Sequence, residues 1–487
     1  MTGCGMTESY PRIMIAGTSG DSGKTILTLA LLAAWRQEGI PLRAFKKGPD
    51  FIDAAWLGWA AGTPGRNLDT YMMGFEVVAR SFSEHATSEG LNLIEGNRGL
   101  LDGVDSEGTH SSAALAETLA CPVVLVLSPT KVTATTAATV LGCQQLAPDL
   151  DLRGVILNQV AGERHARVVR QAIEQHTGVP VLGVLPKING QVLPSRHLGL
   201  VPPAEQEPAE LLRDIMANAA RQNCDLERML DIAHSAGSLK ATAPEPVENE
   251  SHLATAERVR IGYFYDSAFT FYYPENLEAL QNGGAELVAI SALTDKQLPP
   301  LDALYIGGGF PETHTEKLSA NQDLLGAVQQ AATGGLPIYA ECGGLMYLAE
   351  SLEWEGNHVP MAGVLPIRVR MHDRPQGHGY CRMVVDQPNP FFSEGTVLVG
   401  HEFHYSFLTG GATGVTTAYR VEKGRGCVDN RDGIVHGSTL ASYLHLHALG
   451  CPEWARGLIR AAVAFRNGQG QASGGGNVLR ASFGHAT

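Results

Sequence analysis

At 487 residues, with 44% hydrophobic and 18% charged side chains, the chain has the make-up of soluble domains with ample cores. Its length corresponds to about three domains of average size, or fewer if they are large α/β units. A net charge of −14 disfavours a nucleic-acid or anionic-membrane partner. The start is short and polar and no long apolar run occurs, so neither a signal peptide nor a membrane span is expected. The eight cysteines form no CxxC pair, which points to reduced thiols in a cytoplasm and away from a zinc site.

Read in chain order, apolar strands alternate with helical patterns. Arg12–Ala16, Arg43–Phe45, Leu91–Ile94, Val123–Leu127 and Gly154–Leu157 read as strands, Ile26–Gln37 and Ala113–Leu119 as helices. The segment 237–257 (GSLKATAPEPVENESHLATAE) lacks an apolar period and reads as a linker. The alternation then resumes with strands at Val259–Tyr265, Ala285–Ile290, Ala303–Ile306 and Pro337–Ala340. This predicts two α/β domains, 11–236 and 258–467, each a doubly wound sheet with a parallel core. The Gly/Ser-rich stretch 468–487 is expected to be a disordered tail.

The first strand runs into Gly17-Thr18-Ser19-Gly20-Asp21-Ser22-Gly23-Lys24-Thr25 and then the helix. A strand, a glycine-rich loop and a helix N-terminus form an anion cradle. Backbone N–H groups and the helix dipole face the phosphates, Lys24 reaches the outer phosphate oxygens, and the Thr25 hydroxyl suits Mg²⁺. Gly17, Thr18, Gly20, Ser22, Gly23, Lys24 and Thr25 are therefore the candidate nucleotide residues. Thr18 stands where a common P-loop has its first glycine. Acids follow where a magnesium nucleotide needs them: Asp50 and Asp53 in KKGPDFID, Glu95 at the end of a strand, and Asp102 before Gly103. Mg²⁺ takes hard oxygen ligands and keeps several waters, so Thr25, Glu95 and Asp50 suffice as its protein ligands.

The second half carries Cys342 in Tyr-Ala-Glu-Cys-Gly-Gly, between an apolar strand and an apolar helix. Such a turn lifts the thiol out of the backbone, and a helix N-terminus is expected to lower its pKa. Gly307-Gly308-Gly309-Phe310-Pro311 and His445 in Ser-Tyr-Leu-His-Leu-His complete the pattern. Together they resemble a class I glutamine amidotransferase domain, which implies a Cys342 nucleophile, a His445 base, and an oxyanion site from Gly308, Gly309 and Gly343. Many class I enzymes carry a glutamate two residues after the base. Here that residue is His447, so a Cys–His dyad is expected.

GTSGDSGKT, KKGPDFID, EG and DG in one lobe, with GGGFPE, ECGG, GHEFHYS and SYLHLH in the other, resemble the cobyrinate a,c-diamide synthase family across residues 12–465. The GT…GKT loop is similar to the dethiobiotin-synthetase-like branch of P-loop enzymes. The resemblance implies ATP- and glutamine-dependent amidation of the a and c acetates of cobyrinate through an acyl phosphate. Mg²⁺ would be the cofactor, ATP and L-glutamine the co-substrates, a tetrapyrrole the partner, and a homodimer is allowed for. Lys47, Ala54 and the pair Asn97-Arg98 depart from the family pattern beside the expected site. Sirohydrochlorin or sirohaem is therefore carried as an alternative substrate, with Asp53, Asp102, Arg98 and Lys47 as substrate-side candidates. His401, Glu402, His404 and Tyr405 fit a substrate pocket, a lobe interface or a structural role. Three other classes compete: a regulatory P-loop ATPase with an inactive glutaminase-like domain, a ligase of the CTP synthase kind, and a non-enzymatic tetrapyrrole carrier.

Overall fold

The computed structural model describes residues 9–186, 195–196, 199–205, 210–239, 258–410 and 414–474. The chain divides into two compact units, Met1–Val247 and Glu248–Thr487. Most of the expected linker, residues 240–257, lies outside the described residues.

Unit 1 is built on seven strands: β1 (Arg12–Gly17), β2 (Leu42–Lys47), β3 (Arg66–Leu68), β4 (Leu91–Gly99), β5 (Val123–Leu127), β6 (Leu152–Val160) and β7 (Val181–Pro186). They lie in the order β3-β2-β4-β1-β5-β6-β7, and each pairing is parallel. Strands such as Val123–Leu127 (VVLVL) are apolar throughout because helices cover both faces of a parallel sheet. Helix α1 (Lys24–Gln37) is buried along most of its length, packed between the sheet and the helix Glu210–Asn223. The chain leaves β1 toward β2 and later returns to flank β1 with β4 and β5. The loop after β1 thus opens at a switch point of the sheet, where such folds bind ligands.

Unit 2 departs from the expected simple parallel sheet. Its parallel part holds β8 (Val259–Phe264), β9 (Ala285–Ile290), β10 (Ala303–Ile306), β11 (Ile338–Glu341) and β16 (Thr439–Ser442). Antiparallel strands β12 (Gly377–Val385), β13 (Val397–His404), β14 (Thr416–Lys423) and β15 (Arg431–His436) extend it. The order is β9-β8-β10-β11-β16-β15-β14-β12-β13, and a separate four-stranded sheet sits in the same unit. The antiparallel strands mix charged and apolar residues, so no apolar run marks them in the sequence. Alternate residues of the parallel strands feed two cores: Leu304, Ile306, Ile338 and Ala340 on one face, Tyr305 and Tyr339 on the other. Helix α4 (Pro452–Gly474) closes the unit and extends seven residues into the stretch expected as a tail. No helix among the described residues is long and apolar enough to cross a membrane.

Candidate active sites

The nucleotide cradle takes the form that its residues dictate. Helix α1 begins at Gly23 with no side-chain cap, leaving its first amides to an incoming anion. Gly23 has φ 83°, and a Cβ there would fall 2.0 Å from Asn158 Nδ2. That amide donates to the Ser22 carbonyl at 2.9 Å, so Asn158 on β6 braces the loop from the next strands. Lys24 Nζ folds over the loop, donating to the carbonyls of Ser19 at 2.7 Å and Arg98 at 2.8 Å. Burial lowers the Lys24 ammonium, and neighbouring Lys46 adds to that. Both effects favour a phosphate that would replace these contacts.

Behind the loop, Thr25 Oγ1 donates to Glu95 Oε1 at 2.8 Å. Lys46 Nζ lies 2.6 Å from that same oxygen and 2.6 Å from Asp53 Oδ2. Strand register explains the meeting, since Glu95 on β4 pairs with Lys46 on β2 and with Ile15 on β1. One ammonium thus sits between two carboxylates. Burial opposes its charge, but Asp53 and Glu95 outweigh that and hold Lys46 protonated. Burial pushes the Glu95 carboxyl up, with Lys46 pulling the other way. Glu95 Oε2 is buried without a hydrogen-bond partner. An orphaned carboxylate oxygen beside a threonine hydroxyl fits a hard divalent cation such as Mg²⁺, with phosphates and water completing its shell. Among the described residues no cluster of three or more His, Cys, Asp or Glu could form a protein-only cage.

The other expected residues are placed differently. Asp50 is exposed and caps helix α2 (Phe51–Ala61), its Oδ1 accepting from Ile52 N at 2.8 Å and Asp53 N at 2.9 Å. Asp53, one turn along, is the acid that reaches Lys46. Asp102 Oδ2 accepts from Gly99 N at 2.9 Å and shapes the loop after β4. Arg98 has φ 52° and an exposed side chain; its carbonyl, not its guanidinium, meets Lys24. Lys47 is buried and its ammonium lowered by burial, with Asp69 the anion opposing that. Successive strand residues face opposite ways, so Lys46 points to the Glu95 cluster and Lys47 away from it.

In unit 2, Cys342 joins β11 to helix α3 (Gly343–Leu348) with φ 47° and ψ −97°. A non-glycine residue in that conformation is strained, and the strain lifts the thiol clear of the strand. Its N–H donates to the Ser442 carbonyl at 2.8 Å, tying the turn to the strand that leads to His445. A Cβ on Gly343 would stand 3.1 Å from the Gly309 nitrogen, and one on Gly308 only 2.7 Å from His445 Cε1. The strip, the turn and the histidine therefore share one small space. Tyr272 fixes the strip: its hydroxyl accepts from Gly307 N at 2.8 Å and donates to the Phe264 carbonyl at 2.5 Å. The expected lowering of the thiol by the helix is not what the site provides. Burial pushes Cys342 up and Glu312 adds to that, while the Gly343 N–H opposes them only in part. Burial of Cys342 at 6% exposure thus outweighs the N-terminus of a six-residue helix.

His445 is 2% exposed, its Nδ1 3.2 Å from Oε2 of Glu341, which is itself 1% exposed. A carboxylate therefore accompanies the expected dyad. The sequence signal was an acid ending an apolar strand directly before the cysteine. His447 turns away to Glu275, 3.6 Å distant, and packs on Tyr273. His401 exchanges backbone hydrogen bonds with His445 and stacks on its ring at 5.0 Å. Glu402 accepts from Arg425 N and Gly426 N, and His404 stacks on Tyr443 at 3.6 Å. Of these side chains His401 touches the site histidine, while Glu402 and His404 secure neighbouring segments.

Residues 13–200 match the CobQ/CobB/MinD/ParA nucleotide binding domain, and residues 260–452 match the CobB/CobQ-like glutamine amidotransferase domain. A cobyrinate a,c-diamide synthase of Magnetococcus marinus is 42% identical over 93% of this chain and 98% of its own. The enzyme of the same name from Archaeoglobus fulgidus is 40% identical over 93% of this chain and 98% of its own. That from Methanothermobacter thermautotrophicus is 38% identical over 93% of this chain and 100% of its own. A solved glutamine amidotransferase aligns with 42% of this chain and 98% of its own at 20% identity and a TM-score of 0.32. The chain belongs to the cobyrinate a,c-diamide synthase family, a P-loop nucleotide-binding unit followed by a class I glutamine amidotransferase unit.

Proposed function

We propose that the chain converts the a and c acetate carboxylates of cobyrinate to amides, using ATP and glutamine. The observation that carries this reading is one chain holding both chemistries that such amidation needs. It has a lysine–carboxylate cluster behind a phosphate loop, and a strained cysteine turn beside a buried histidine. Relatives named for this reaction match it over nearly their whole length.

A carboxylate resists nucleophiles until its oxygen becomes a leaving group. In unit 1 the γ-phosphoryl group of ATP passes to the acetate, giving an acyl phosphate. Lys24 and Lys46 offset charge on the transferring oxygens. Thr25 and Glu95 would hold Mg²⁺, which when bound neutralises phosphate charge. In unit 2 Cys342 attacks the glutamine amide as His445 takes the thiol proton. Burial raises the thiol, so Cys342 depends on His445 to take its proton. Amides of the Gly308–Gly309 strip and Gly343 receive the oxyanion, His445 returns the proton to the departing ammonia, and water then hydrolyses the Cys342 thioester to free glutamate and the thiol. Ammonia then displaces phosphate from the acyl phosphate.

Cys342→Ala is expected to abolish glutamine-driven amidation of cobyrinate while leaving ammonium-driven amidation intact, read as product mass. Sirohydrochlorin and sirohaem, run in parallel, should stay unmodified. Failure of ammonium rescue, or amidation of those macrocycles instead of cobyrinate, would overturn the proposal.

A further inference from the structure

Glu341 lies beside the cysteine in sequence and beside the histidine in space. β11 and β16 run parallel with Glu341 opposite Ser442, which brings the carboxylate alongside the segment that ends in His445. The backbone breaks at Cys342, directly after Glu341, and the Glu341 carboxylate turns toward the imidazole. Glu341 Oε2 is 3.2 Å from His445 Nδ1 and 3.3 Å from the Tyr305 hydroxyl that donates to it. Oε1 accepts from the Leu446 N–H at 3.4 Å. The contacts lock the carboxylate onto one ring nitrogen.

The groups facing Glu341 narrow what it does. Tyr272, Tyr305, Tyr339 and Tyr419 lie around it, and burial raises each hydroxyl well above its ordinary range, so none carries charge. His445 is the basic side chain that the carboxylate contacts. His401, stacked on His445, is lowered far below its ordinary range by burial and by His445, and stays neutral. The position two residues after the base is occupied by His447, engaged with Glu275.

We infer that Glu341 is the positioning residue of the glutaminase, a carboxylate that fixes the His445 tautomer with the proton on Nδ1 and stabilises the imidazolium formed when Nε2 takes the thiol proton. The inference rests on the Cys342–His445 reading above. A dipeptide, Glu341-Cys342, thereby supplies both the nucleophile and the group that orients its base.

The test is glutaminase turnover, measured as ammonia release, in Glu341→Gln, Glu341→Asp, His445→Ala and the double variant His445→Ala/Glu341→Gln. Glu341→Gln can present an N–H to Nδ1 and so stabilise the wrong tautomer. Its kcat should fall about 10²- to 10⁴-fold with the KM for glutamine within about threefold of the parent. Glu341→Asp keeps the charge with a shorter reach and should recover part of that loss. Ammonium-driven amidation should be unchanged in both. In the His445→Ala background the Glu341→Gln change should cost nothing more, because Glu341 acts through the histidine. A Glu341→Gln enzyme within about threefold of parent kcat overturns the inference, as does an equal loss with and without His445. Retained glutaminase in His445→Ala alone would instead remove the base reading on which the inference stands.

Discussion

Replacing Lys46 by Met removes the cation that contacts both Asp53 and Glu95, at almost unchanged volume. Each N–O contact is 2.6 Å. Charges at that separation attract by about 6 kcal/mol at an effective dielectric of about 20. Desolvation consumes much of this, because Lys46 is buried and the Glu95 side chain has 0% exposure. Asp53, at 20% exposure, can turn toward water after the substitution, and Glu95 cannot. The variant is expected to lose about 3–5 kcal/mol from unit 1 at high pH, the usual effect of stranding one member of a buried pair. The sign of the pH dependence follows from Glu95. Burial already holds its folded pKa above the ordinary value of 4.5, and loss of Lys46 raises it further. A folded state that binds its proton more readily than the unfolded chain loses stability as pH rises. The deficit should therefore be full at high pH and shrink as pH falls toward the ordinary carboxyl range. Lys46→Met/Glu95→Gln should recover most of it. Urea dependence of hydrogen exchange in β2 and β4, at about pH 8 and about pH 5, measures both effects. A loss under about 1 kcal/mol, or a deficit that grows in acid, would refute the buried-pair reasoning. Lys46→Met should also be inactive with either nitrogen source.

Gly308→Ala places a Cβ 2.7 Å from His445 Cε1 and 3.2 Å from Phe271 Cδ2. The displaced base should lower glutaminase kcat about 10²-fold with ammonium-driven amidation unchanged, read by paired ammonia and product assays. Arg98→Leu removes an exposed guanidinium beside the Lys24 loop; a raised KM for cobyrinate with unchanged glutaminase would assign it to a non-reacting carboxylate, and unchanged kinetics would leave its carbonyl contact as its role. His404 is pushed down to about 4 by burial, so on acidification the unfolded chain takes up its proton first. Unit 2 should lose stability as pH falls from the ordinary histidine range toward 4, and His404→Phe should flatten that slope in thermal midpoints taken between about pH 7 and about pH 5.

What the sequence discloses depends on whether a feature is local. The phosphate loop and the cysteine turn are written in contiguous residues, strand then glycine then helix, so both were legible from order alone. The acids near the loop were legible as a set but not as individuals. Asp50 and Asp53 sit one helical turn apart, and the N-cap geometry at Asp50 turns its carboxylate onto the backbone, leaving Asp53 to reach Lys46. Lys46 and Lys47 differ only in which face of β2 they occupy. That parity is set by the register with β4, a pairing of residues 49 positions apart. Glu341 illustrates the same limit at greater range. Its partner is 104 residues away, and its proximity to His445 depends on β11 and β16 being neighbours after an antiparallel excursion that no apolar run announced. A buried acid at the end of a strand is nevertheless a signal in its own right, because an unpaired carboxylate in that place would be too costly to keep. Both residues missed from the expected sites, Lys46 and Glu341, are charged side chains buried near the ends of strands. A charge that interrupts a buried strand beside a recognised motif requires a partner, and the partner defines the site.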